Sequence, residues 1–346
     1  MSPVQQQVID VRSDTVTRPT PAMLEAMMTA TVGDDVFGED ETVNTLQRGI
    51  ADLFGMQAAL FCPTGTMTNQ IGIRVHTQPG DEVICAELAH IYIYEGGGIA
   101  SNSGASVRLL KGNNARFTAD DVRANINRRD DSHFPWTRLV GIENTVNRGG
   151  GCCWDLEEIR RIRRVCDDQG LALHLDGARL FNALTARNES PHQYGQLFDT
   201  ISVCLSKGLG APAGSLLLGS RDKIARAHRY RKVMGGGMRQ SGYLAAAGLF
   251  ALEHHVERLR DDHARAKTVE AELRSLSYVA SVLPVETNIV MFTLIDSMPA
   301  DEFLQKLRER HVRALSMGGP QTIRFVFHLD VSDTDLDGLV SALRAI

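Results

Sequence analysis

Lys207 stands in "LSKGLGAP", where the apolar run Thr200-Ile201-Ser202-Val203-Cys204 breaks into a turn with Gly208 and Gly210. A lysine among apolar neighbours loses hydration, its pKa falls, and its amine becomes a nucleophile. About thirty residues earlier, "LHLDGAR" ends another apolar run in Asp176, with Arg179 three residues on. "ALFCPTGTMTNQ" places Thr64, Gly65 and Thr66 where a strand gives way to a helix, a pattern that serves a phosphate or only a helix cap. His90, in "ELAHIYIYEGGG", follows a further apolar run. Its imidazole can stack on a flat ring, act as a base, or do neither.

These groups need a frame. Residues 58–62, 82–86, 138–143, 171–175, 200–205 and 215–219 read as strands apolar enough to be covered on both faces. Between two of them, "DLEEIRRIRRVCDDQG" reads as a helix. A capping-box-like Asp155/Glu158 start opens it, one face carries Leu156, Ile159, Ile162 and Val165, and Gly170 stops it. Strand, helix and strand make a βαβ unit, so the sheet should be largely parallel. Ligands of such sheets gather at the carboxyl ends of the strands, where all the residues above fall. Past about residue 245 a long helix containing His254 and His255 precedes strands at 288–294 and 322–328 and a last helix at 334–345. The expected architecture is an arm at 1–20, a large α/β domain at 21–245 with a mostly parallel mixed sheet, and a small α+β domain at 246–346.

Composition narrows the function classes. The 346 residues are 43% hydrophobic and 23% charged, with net charge −5, so no basic footprint points to nucleic acid. No apolar stretch is long enough to span a membrane. The N-terminal residues lack a signal-peptide pattern, so a cytoplasmic protein is expected. The six cysteines form no C-x-x-C and read as buried, reduced thiols.

A strand-end carboxylate and a lysine on another strand suit pyridoxal 5′-phosphate (PLP). The lysine holds the cofactor covalently, and the acid pairs with the pyridinium nitrogen. A unit charge about 4 Å away at an effective dielectric near 20 is worth about 4 kcal/mol, enough to keep that nitrogen protonated. An Asp176–Arg179 ion pair is the bland alternative.

The stretches "DVRSDTVTRPT", "VGDDVFGEDETVNTL", "ALFCPTGTMTNQ", "HLDGARLFNA", "CLSKGLGAPAGS" and "GGGMRQSG" together resemble the low-specificity L-threonine aldolases, in order and spacing. These belong to the β-eliminating lyase/threonine aldolase group of fold-type I PLP enzymes, with the aspartate aminotransferase-like fold. The resemblance implies that Lys207 carries the cofactor, Asp176 pairs with its ring nitrogen, His90 stacks on the ring, and Gly65 and Thr66 cradle the phosphate. It implies that Ser13, Arg179 and Arg324 hold the substrate carboxylate, with Arg179 also beside the phenolic oxygen. His133 matches a histidine near the substrate hydroxyl. Lys232 and Arg239 match positions near the active site, possibly of a neighbouring subunit in a homodimer or homotetramer. The implied reaction is cleavage of L-threonine, L-allo-threonine and related β-hydroxy-α-amino acids to glycine and an aldehyde. His90, His133 or a water between them is the candidate base, and no metal is implied. Two positions depart from the family pattern: Phe37 replaces a tyrosine and Val146 a histidine.

Three rival readings follow from the same residues. β-Elimination uses the same lysine but removes a Cα proton. A nicotinamide site on "KGLGAPAGS" lacks the acidic residue about twenty positions on. A metal on His174 and Asp176 lacks a third ligand at sensible spacing.

Overall fold

A computed structural model describes residues 8–346; residues 1–7 of the expected arm lie outside the described residues. The strands in chain order are β1 (Ile9–Asp10), β2 (Ala58–Cys62), β3 (Asp81–Ala86), β4 (Ser106–Leu110), β5 (Trp136–Glu143), β6 (Ala172–Gly177), β7 (Thr200–Cys204), β8 (Ser215–Gly219), β9 (Val279–Val282), β10 (Ile289–Leu294), β11 (Val312–Arg313), β12 (Leu315–Ser316) and β13 (Thr322–Val326). Seven of them form one sheet in the order β2-β8-β7-β6-β5-β3-β4. Only β8 runs antiparallel to its neighbours, and the other pairs are parallel. Every residue of β3, β7 and β8 is buried, as strands covered on both faces should be.

The helix between β5 and β6 spans Leu156–Gln169, and Gly170 closes it at φ 59°. Its start differs from the capping box expected. Asp155 accepts from the Glu157 N–H at 2.8 Å, while Glu158 turns away to accept the Ala119 N–H at 2.7 Å. The long helix expected after residue 245 is two: Gly242–His254, ending just before His255, and Leu259–Leu273. Strand β4, "SVRLL", was not foreseen, because its arginine interrupts an already short apolar run.

A four-stranded antiparallel sheet, β12-β13-β10-β9, lies beyond the second of these helices. Its core centres on Phe292, edge-on to Phe303 at 5.8 Å and to Phe325 at 5.1 Å. Residues 9–11 join this layer. β1 pairs in parallel with β11, and Val11 is fully buried with Phe292 and Phe325. No helix among the described residues is long and apolar enough to cross a membrane. All six cysteines are buried and unpaired.

Truncating Phe292 removes both aromatic contacts from a buried core. Phe292→Ala should cost about 3–5 kcal/mol, measured by urea denaturation. A loss below about 1 kcal/mol would show that this cluster does not anchor the smaller layer.

Candidate active site

Register assembles the acidic floor of the site. In the β5/β6 ladder Glu143 stands opposite Asp176, and in the β6/β7 ladder Asp176 stands opposite Ser202. Residues in register on parallel strands share a face, so two carboxylates and a hydroxyl line one edge. The helix Gly65–Arg74 covers that face, and its buried side chains include the polar Thr68, Asn69 and Gln70. Thr68 and Ser202 hydroxyls meet at 2.6 Å.

Above this edge opens a cavity of about 320 Å³, lined by Thr64, Gly65, Thr66, His90, Asp176 and Lys207 among others. Lys207 is only half-buried, so the enclosed amine expected from sequence is not found. Its Nζ lies 3.9 Å from Cys204 Sγ. Thr64 caps the helix by accepting the Met67 N–H at 3.2 Å, which leaves the Gly65 and Thr66 N–H groups at the helix start for an anion. A Cβ on Gly65 would fall 2.4 Å from Cys204 Sγ, so only glycine fits there.

Asp176 accepts the Ala178 N–H at 3.2 Å through one oxygen. The other oxygen is buried without a hydrogen-bond partner, with His90 Nδ1 4.0 Å away. His90 Nδ1 is 3.0 Å from Glu95 Oε1, and its backbone N–H donates to Glu143 at 2.8 Å. Burial pulls the His90 pKa down, but the Glu95 hydrogen bond and the charges of Asp176, Glu95 and Glu143 outweigh it and hold it above the ordinary imidazole value. Glu143 is itself pushed up, first by burial and then by the Asp176 charge.

The arginines occupy a second part of the site. Arg179 does not pair with Asp176. It grips Asp14 bidentately, at 2.7 and 2.6 Å, and both side chains are buried. Arg324, on β13, donates to Asn147 Oδ1 at 2.6 Å and to the Arg12 carbonyl at 3.0 Å, and its Nε is buried without a partner. Burial and the like charge of Arg179 lower the Arg324 pKa to about 10. Burial alone would raise Asp14, but Arg179, then Lys207 and Arg324, hold it at about 2. Two guanidinium groups and an amine thus surround one carboxylate, and the surplus positive charge suits a second carboxylate. Ser13, next in the chain, accepts the Thr15 hydroxyl at 2.9 Å.

Three sequence candidates are not brought to the cavity within this chain. His133 is exposed and hydrogen-bonded to Asp131 at 2.7 Å, in the loop that precedes β5. The cavity is at the other end of that eight-residue strand, roughly 25 Å of extended chain away. Arg239 pairs with Asp34 at 2.8 Å and lies over the Phe37 ring. Lys232 lines a separate depression with Val36, Val233 and Gly237. Val146 is buried. Sequence reasoning missed Asp14, Glu95 and Glu143. Glu143 alone left a signal, since it ends its strand as Asp176 does.

The described site is continuous with what comparison finds. Residues 10–297 match the model of the β-eliminating lyase family. The low specificity L-threonine aldolase of Escherichia coli K12 is 42% identical over 98% of this chain and 99% of its own. The chain belongs to the β-eliminating lyase/threonine aldolase family. Low-specificity L-threonine aldolase 1 of Arabidopsis thaliana is 39% identical over 97% of this chain and 95% of its own. The threonine aldolase structure from Leishmania major superposes with TM-score 0.84, covering 97% of this chain and 99% of that one, at 21% identity. A serine palmitoyltransferase from Sphingomonas wittichii superposes at 0.77, covering 98% and 86%, at 15% identity. At such identities these structures establish the fold, which is that of fold-type I PLP enzymes.

Replacing Asp14 with alanine strands Arg179 without its counter-charge. The expected cost is about 3–5 kcal/mol of stability, read by chemical denaturation. The native carboxyl sits below its ordinary 3.8, so its contribution is complete above about pH 4 and is lost as pH falls toward 2. A wild-type and Asp14→Ala pair with parallel stability–pH curves across that window would contradict the assignment.

Proposed function

We propose that this protein is a PLP-dependent aldolase that cleaves L-threonine, L-allo-threonine and related β-hydroxy-α-amino acids to glycine and an aldehyde. The observation that carries the reading is the cavity itself. Lys207 and the buried, unpartnered Asp176 oxygen open onto one space, and a helix N-terminus closes it. That set fits PLP: an amine for its aldehyde, an orphan acceptor for its ring nitrogen, and free N–H groups for its phosphate. Lys207 would hold it, with Asp176 at the ring nitrogen, His90 at the ring and Gly65 and Thr66 at the phosphate.

PLP, when bound, supplies an electron sink for the carbanion that forms when a bond to Cα breaks. The protein decides which bond that is. Arg179 and Arg324 fix the substrate carboxylate, and so set the direction of the other Cα substituents. Asn147 holds Arg324, and Glu143 accepts the Asn147 N–H at 2.9 Å. His90, the histidine that lines the cavity, takes the proton from the β-hydroxyl. Asp176, with its buried unpartnered oxygen, would keep the ring nitrogen protonated.

The chain divides, in this reading, into a large cofactor-binding part at 21–245 and a small part at 246–346 that delivers Arg324. The separate cores of the two sheets support it. The protein works in the cytoplasm as a homodimer or homotetramer. Exposed Phe37 and Val233, beside Arg239 and Lys232, offer an apolar surface with cationic groups for a second copy.

Lys207→Ala should abolish both the visible-edge absorbance of bound cofactor and all turnover. Glycine and acetaldehyde should appear from threonine; pyruvate and ammonia from serine or cysteine as the dominant products would mean an eliminating lyase instead. Arg324→Ala should raise KM at least tenfold, about 1.4 kcal/mol of binding, while the cofactor spectrum is kept. An unchanged KM would make Arg324 structural.

A further inference from the structure

Glu95 is buried, and three side-chain donors converge on it. Asn69 Nδ2 lies 2.8 Å away, Gln70 Nε2 2.5 Å and His90 Nδ1 3.0 Å. An ionised carboxylate only accepts, so each partner must present N–H. Gln70 is held that way because its own oxygen accepts from Asn102 at 3.2 Å. For Asn69 the orientation propagates. With its amide given to Glu95, its oxygen faces His174 Nε2 at 3.2 Å, and His174 must carry its proton there. His174 Nδ1 then accepts the Thr200 hydroxyl at 2.9 Å, and the Thr200 oxygen accepts from His76 Nε2 at 3.0 Å. Every bond in this buried chain donates toward Glu95.

We infer that Glu95 is the positioning residue that holds neutral His90 as its Nδ1–H tautomer, leaving Nε2 as the nitrogen free to accept a proton, and that the chain His76–Thr200–His174–Asn69 fixes the donors around Glu95. This rests on His90 being the proton acceptor of the proposed reaction. The sequence marks Glu95 only as the acid five residues after His90, just ahead of "GGG".

The surrounding charges agree. His90 faces Glu95, Asp176, Glu143 and the Tyr94 ring, whose centroid is 5.6 Å from its own, with Lys207 lining the same cavity. His174 faces Asp176, and burial pushes it down to about 4. His76 faces Lys223, Asp199, His174 and Arg226, and burial lowers it too. Both rings are therefore neutral at neutral pH, as a chain of single donors and acceptors requires. Gly72 makes room for it: a Cβ there would fall 2.5 Å from His174 Cε1.

The test reads the ring nitrogens and the pH profile of the holoenzyme. Histidine ring ¹⁵N spectra of the wild type, with the His90 signals assigned by their loss in His90→Asn, should show neutral His90 protonated at Nδ1. Protonation at Nε2 overturns the inference. In Glu95→Gln the charge that favours protonated His90 is gone. The acidic limb of kcat/KM should then move down by about one pH unit or more, with Glu95→Asp returning part of the shift. An unmoved limb with merely lower kcat makes Glu95 structural. The tautomer is read in the wild type and needs no Glu95 variant to fold. If β-hydroxy amino acids are not cleaved at all, the functional reading fails, while the spectrum still decides the tautomer.

Discussion

The buried pair of Asp14 and Arg179 is the contact on which the site's geometry depends. Asp14 comes from the N-terminal segment, Arg179 from the turn after β6, and Arg324 from the antiparallel layer near the C-terminus. Three distant parts of the chain therefore meet at one carboxylate. Two buried guanidinium groups repel each other strongly at low dielectric. Asp14 makes their approach tolerable and still leaves net positive charge. A substrate carboxylate can then complete the balance rather than compete with it. This also explains why the first strand joins the smaller layer. β1 is tied to β11, and that pairing sets where Asp14 arrives.

A second layer of order lies beneath the cofactor-sized cavity. Most helices that cover a parallel sheet do so with apolar side chains. The helix Gly65–Arg74 instead turns Thr68, Asn69 and Gln70 inward, to Ser202, His174 and Glu95. A buried polar patch is costly unless fully bonded. Thr68, Asn69 and Gln70 all have partners, whereas one Asp176 oxygen has none and its side chain lines the cavity. The unmet acceptor marks where a ligand's proton belongs.

The sequence was legible where chemistry follows chain-local pattern. The strands carrying Asp176 and Lys207 announce themselves as apolar runs, and "PTGTMTNQ" as a helix start with hydroxyls. The family resemblance supplied Ser13 and Arg324, which no local pattern distinguishes from ordinary surface residues, and gave a role to Arg179, which the strand end had already marked. What stayed hidden were the partners. Asp14 is one acid in "RSDT" until β1 finds β11, and Glu95 one of three acidic residues between 82 and 95 until helix and sheet close over it. His133 lies in the loop that leads into the strand ending at Glu143, and so stands a full strand length from the cavity, a separation that no local pattern measures.

Gly65 and Cys204 touch across two elements, with room for one side chain between them. Drift at either position is thereby conditioned on the other. A lineage could acquire alanine at the helix start only after the strand residue had shrunk, and a bulkier group in place of the thiol would displace the turn that offers its N–H groups to an anion. Relatives with a side chain at the helix start should be found to carry a residue smaller than cysteine on the strand.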